Sequence, residues 1–171
     1  MLDRLIDLLI ASLQAFQFWV VIDDFERGVV LRLGRFQREL QPGLYWLVPF
    51  YVDQVLVDNV VPRTKNLGAQ SLTTKDGKQV VVAAIVTARI HDVRKALLEV
   101  EGVDEALVDS CYAEVGRVVR EKSLDTLQHD DLTDELTAAC RKRARRYGVE
   151  IMQVQLSDIA LCRSLRLWSQ Q

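Results

Sequence analysis

Residues 71–90 read SLTTKDGKQVVVAAIVTARI, and this stretch sets the fold class. Two β-rich arms flank the polar KDGK, and Asp76-Gly77 supplies the left-handed backbone that a tight hairpin needs. The second arm carries no charge from Gln79 to Ala88, the pattern of a strand covered on both faces and central in its sheet.

Downstream, the apolar period lengthens to that of a helix after His91 and Asp92. Asp92 is placed to cap VRKALLEV, and Asp104 to cap EALVDSCYAEVGRVVREK. The stripe of the latter is Leu107, Val108, Cys111, Val115, Val118 and Val119, with Gly116 inside it for close packing. Thr133 or Asp131 can cap a third helix in DDLTDELTAACRKRARRYG, which Gly148 ends. The segment VEIMQVQLSDIAL alternates Val149, Ile151, Gln153 and Gln155 with Glu150, Met152, Val154 and Leu156, which suits a final strand with either row inward.

Upstream, Tyr51 to Val61 reads as a strand closed by Pro62. Gln41-Pro42-Gly43 has the proline and glycine of a type II turn, and GLYWLVP after it is a short apolar strand stopped by Pro49. GVVLRLGR is a strand that ends at Gly34, where a positive φ is expected. Val20 to Ile22 makes another short strand, joined to it through DDFER in the manner of a hairpin. The fold expected is α+β: a strand-rich N-terminal half, a helical second half and a final strand, preceded by an amphipathic N-terminal helix.

That N-terminal helix is read from Leu2, Leu5, Ile6, Leu9, Leu13 and Phe16, which recur at helical spacing, with Asp3, Asp7 and Gln14 towards the other side. The uncharged run from Leu8 to Ile22 is shorter than the roughly 20 residues a spanning helix needs, and Gln14 and Gln17 interrupt it. Lying in the interface, with Phe16, Phe18 and Trp19 at headgroup level, suits it better. A helix packed on a neighbouring subunit and a true span remain open. Asp3, Asp7 and the lack of a small-residue cleavage pattern argue against a signal peptide.

The chemistry-bearing residues form no recognisable constellation. A formal net charge of −2 in 171 residues gives no long-range pull towards nucleic acid or anionic lipid. Cys111, Cys140 and Cys162 are widely spaced and odd in number, which fits neither a disulfide framework nor a zinc site and suits a reduced, cytosol-facing protein. His91 and His129 have no nucleophile or paired carboxylate in a motif with them. The run Arg141–Arg146 has the charge to touch phosphates, but an acidic chain without interleaved aromatics favours a helix end or a subunit contact, through Arg141, Arg143 and Arg145.

Taken in order, the apolar start, FERGVVLRLGR, PGLYWLVP, LTTKDGKQVVVAAIVTARI, the paired helices and the terminal YGVEIMQVQLSDIAL resemble the SPFH, or band-seven, family of stomatin, prohibitin and flotillin relatives, stomatin-type members most closely. The resemblance implies an anchor over residues 1–19, an SPFH domain over 20–167 and a short tail at 168–171. It further implies a non-enzymatic, membrane-associated scaffold, peripheral on the cytoplasmic face, that forms rings, organises a membrane patch and regulates an associated protease, channel or transporter. No cofactor and no metal are expected. By similarity Leu44, Tyr45, Trp46, Leu47 and Phe50 lie near the membrane, beside the N-terminal residues named above. The family's long coiled coil does not follow LCRSLRLWSQQ, so a compact ring or co-assembly with a longer relative is expected. Partners are then lipid, self or such a relative, and a membrane protease. A soluble oligomeric adaptor that binds a membrane protease is the alternative, and nucleic acid is not an expected partner.

Overall fold

A computed structural model describes residues 18–50 and 52–162. The expected N-terminal helix, with Leu2, Leu5, Ile6, Leu9, Leu13 and Phe16, lies outside the described residues, as does the tail. The chain divides into two compact units, one drawn from Met1–Val61 and Ile90–Val100, the other from Pro62–Arg89 and Glu101–Gln171.

The first unit contains strands β1 (Trp19–Ile22), β2 (Glu26–Arg32), β3 (Arg35–Leu40), β4 (Gly43–Trp46) and β5 (Asp53–Asn59), with the short helix α1 (Val93–Leu98). They form a two-stranded sheet, β1-β4, and a three-stranded sheet, β3-β2-β5. Ile22, Val30 and Leu40 make the core, and Val20, Tyr45, Leu47 and Val55 pack against it. Val29, also fully buried, points to the opposite face of β2, the strand on which α1 packs.

In this unit the expected hairpin is corrected, and a strand that no apolar period marks is added. Strand β1 does not form a hairpin with β2: a turn closed by the Glu26 N–H on the Asp23 carbonyl (3.0 Å) sends the chain into another sheet, and β1 pairs antiparallel with β4. The charged stretch after Gly34 is a strand. Leu33 and Gly34 have φ of 49° and 76°, the pair of positive values that a two-residue hairpin turn takes, so β3 folds back on β2 with Arg32 opposite Arg35. As an edge strand, β3 exposes Arg35 to Glu39 and buries only Leu40, which hides it from a search for apolar alternation. Gly43 has φ of 141°, a glycine value but well off the roughly +80° of a type II turn.

The second unit carries the expected hairpin, but its first arm, β6 (Arg63–Thr73), starts well before Ser71 and holds a bulge between Asn66 and Ala69. Strand β7 (Gln79–Ile90) is central, between β6 and β8 (Val149–Leu161). The Cys162 N–H bonds the Gln79 carbonyl (2.9 Å) and Arg89 bridges to Glu150 (2.7 Å), so β8 runs antiparallel to β7. Burial on both faces of β7 is not what forms. Val80, Val82, Ala84, Val86 and Ala88 are buried, whereas Val81, Ala83, Ile85 and Thr87 are only half-buried. In β8 the buried residues are Val149, Ile151 and Val154; the odd step between the last two breaks simple alternation, so neither sequence row is the inward one.

Helices α2 (Val103–Glu121), α3 (Leu124–His129) and α4 (Thr133–Ala144) complete the unit, and a 3₁₀ turn (Arg145–Tyr147) precedes β8. Gly102 at φ 64° occupies the cap of α2 in place of Asp104, which sits in the first turn and bridges Arg63 (3.0 Å) and Lys65 (2.8 Å) of β6. A Cβ at Gly116 would come within 3.0 Å of Gln70 Oε1, so the glycine does permit a close approach to β6. Asp131 Oδ1 accepts the Thr133 N–H and so caps α4 from outside the helix, and Gly148 ends the 3₁₀ turn at φ 71°.

Candidate functional site

The pairing of β1 with β4 sets Trp19 opposite Trp46 and Val21 opposite Leu44. Residues directly opposite share a face, so these four make one apolar row, and the alternate residues Val20, Ile22 and Tyr45 turn to the core. A ladder apolar on both faces has one face to spare. Val21 and Leu44 are each 60% exposed and Trp46 is 71% exposed, and the two indoles meet edge to face with centroids 6.2 Å apart. Exposed Phe18, Val48 and Phe50 lie before and after the ladder in the chain.

The loop that follows β4 is held by one carboxylate. Asp53 accepts two hydrogen bonds from Arg32 (2.7 and 3.0 Å) and one from the Val48 N–H (2.9 Å). Arg32 holds the Asp53 carboxyl below its ordinary range although burial opposes this. Phe50, at φ 63°, adopts a backbone that costs a non-glycine residue energy and stands 62% exposed.

Of the residues singled out in the sequence, Phe18, Trp19, Leu44, Trp46 and Phe50 are exposed. Trp19 opens β1. Tyr45 and Leu47 pack against the core; the Tyr45 hydroxyl accepts the Gln41 N–H (3.2 Å) and its ring lies under the Arg38 guanidinium. Val21 and Val48 are exposed as well, and Val21 follows from its period-two relation to Trp19.

The basic run behaves differently from residue to residue. Arg141 donates to the Ile151 and Met152 carbonyls and ties α4 to β8. Arg143 pairs with Glu114 (2.7 Å), whose other oxygen takes Arg117 (2.9 Å). Burial raises the cost of the Glu114 charge, and hydrogen bonds from Arg117 and Arg143 outweigh it and hold the carboxyl low. Arg145 has no ion-pair partner among the described residues. Glu114 and Arg117 stand at i, i+3 on α2 and read from the sequence as an ordinary helix pair; only the packing of α4 brings Arg143 to Glu114.

Cys111 and Cys140 are free and buried between α2 and α4; the bond to Cys111 and burial push the Cys140 thiol up. Among the described residues no helix is long and apolar enough to cross a membrane, and no group of three or more His, Cys, Asp or Glu is placed to hold a metal.

The architecture is a mixed α+β domain whose outstanding surface is an exposed apolar strand ladder. Comparison with known proteins gives the family: the SPFH domain / Band 7 family matches residues 20–166, and the chain belongs to it. Relatives include an uncharacterized protein of Methanocaldococcus jannaschii, 30% identical over 82% of this chain and 71% of its own length. A stomatin homolog of Pyrococcus horikoshii is 27% identical over 82% of this chain and 53% of its own. Protein HflK of Vibrio cholerae is 34% identical over 66% of this chain and 28% of its own. The chain thus spans between about a quarter and seven-tenths of the length of these relatives.

Proposed function

We propose that this protein is a non-enzymatic, membrane-associated oligomeric scaffold, peripheral on the cytoplasmic face, that organises a membrane patch and regulates an associated membrane protease. Its lipid-contact surface is Trp19, Val21, Leu44 and Trp46, continued by Phe18 and Phe50 and assisted by the apolar N-terminal segment. The observation that carries this is the outward row on the β1-β4 ladder. An apolar strand face left in water is a cost unless something covers it, and paired tryptophans suit the boundary between headgroups and acyl chains. Membership of the SPFH family and the resemblance to stomatin-type members support the scaffold role.

Sedimentation with phosphatidylcholine vesicles tests it. The intact chain is expected to pellet with lipid, and Leu44→Ser with Trp46→Ser to lower the partition coefficient by about tenfold or more, since each large apolar side chain contributes roughly 1.5–3 kcal/mol when fully buried. Unchanged partition of the double variant removes the ladder from the lipid contact. An intact chain that stays in the supernatant at every lipid concentration overturns the membrane reading in favour of the soluble adaptor.

A further inference from the structure

In the second unit α2 and α4 lie side by side in opposite directions, tied by Glu114–Arg143 near one end and Lys122–Glu135 (2.7 Å) near the other. Between them is a groove of about 500 Å³ lined by Glu114, Arg117, Ala139, Lys142, Arg143 and Arg146. Four cations thus line the groove with a single carboxylate, which is already committed to Arg117 and Arg143, and Arg117 also takes Glu121 (2.9 Å) from outside the lining. Lys142 and Arg146 make no ion pair among the described residues. The groove is therefore electropositive, and what it fits is an acidic group from outside it.

The same helix offers one. Glu135, Ala139, Lys142 and Arg146 recur at the i, i+4, i+7, i+11 spacing of one helix stripe, continued into the 3₁₀ turn, so the stripe is acidic at its start and basic at its end. The separation of its two ends is roughly 16 Å at the rise of a helix. Asp134, also exposed, adds charge to the acidic end, and Ala138 and Ala139 keep the middle small enough for two helices to approach.

The geometry points to this groove as the seat for the acidic end of α4 from a second copy of the chain, with the two α4 helices packed in opposite directions about a two-fold axis. Turning the stripe end for end sets Glu135 of each copy against Lys142 and Arg146 of the other, so every charge contact occurs twice. The present Lys122–Glu135 pair is no obstacle: the Glu135 side chain is 45% exposed, and exposed pairs are weak enough to be redirected or shared. The contact rests on the scaffold reading for its use, since it would link subunits on a membrane, but its charge logic is independent of the apolar ladder.

Complementary charge reversal tests it on the full chain. One variant carries Lys142→Glu and Arg146→Glu, the other Asp134→Lys and Glu135→Lys; circular dichroism checks that each is folded, and Arg146→Gln and Glu135→Gln, read for weaker association alone and not for recovery in the mixture, stand in for any reversal that is not. By sedimentation velocity at low salt the wild type is expected to self-associate. Each reversed variant alone should associate about tenfold or more weakly, and an equimolar mixture of the two should recover the wild-type behaviour. Association of both variants at wild-type strength, or loss without recovery in the mixture, overturns the groove contact and leaves the scaffold reading standing. A wild type that is monomeric with and without vesicles overturns both. If instead the wild type is monomeric at low salt and the basic-end reversal releases it from phosphatidylserine vesicles, the groove takes lipid phosphate and the proposal falls.

Discussion

Asp53 shows how much of a surface can hang on one side chain. Its carboxylate, only 1% exposed, receives the Arg32 guanidinium and the Val48 N–H at once, and so closes the loop that presents Phe50. A carboxyl held below its ordinary range in the folded state lends stability that is present above the unfolded value and lost as pH falls through the folded one. Asp53→Asn is therefore expected to lower stability by about 1 to 2 kcal/mol at neutral pH, with the wild-type and variant curves converging in acid. Thermal unfolding across the acid range measures this; a difference that persists unchanged below the carboxylate range would show that charge is not the cause.

The strands of the first unit are short, and their ladders rather than their lengths hold them. In β2, central between β3 and β5, Gly28 sits where an added Cβ would lie 2.7 Å from the Leu56 carbonyl oxygen, with Val57 Cγ2 at 3.3 Å. That contact is with backbone, so the β2-β5 ladder itself would have to yield. Gly28→Ala is expected to cost about 1–3 kcal/mol in denaturant unfolding, even though alanine suits a strand no worse than glycine. The ladder β1-β4 is the opposite case, with its inner row fixed by Ile22 in the core and its outer row available to a partner. Helix α4 divides its labour similarly: Leu136, Thr137, Cys140 and Ala144 are buried, Arg141 is spent on β8, and the stripe from Glu135 to Arg146 faces outward.

The molecule carries two surfaces of different physics, and salt separates them. The lipid binding proposed for the β1-β4 row would be apolar and, in a chain of net charge −2, should change little on neutral vesicles between low and high ionic strength. The self-association proposed through α4 would be electrostatic and should weaken over the same range as the Debye length shrinks. Vesicle sedimentation and sedimentation velocity in one salt series check this, and parallel loss of both activities would show that a single surface serves them. Most element types were legible because strand and helix periods are local: Val80 to Ile90 declares a strand and Leu107 to Val119 a helix without reference to anything else, whereas β3, with five exposed residues in a row, does not, and the apolar content of GLYWLVP does not tell that Tyr45 and Leu47 turn to the core. The partner of β1, the buried edge residue Leu40 and the commitment of Arg141 to strand carbonyls were not legible. Each depends on which distant segment closes against it, and Trp19 meets Trp46 only because the turn at Asp23 diverts the chain from β2. Local chemistry thus established that this chain would be an α+β domain with apolar aromatic segments near its start. Long-range strand pairing and helix packing, which no short window of sequence contains, turned those segments into a face and six residues of two helices and the 3₁₀ turn into a charged groove.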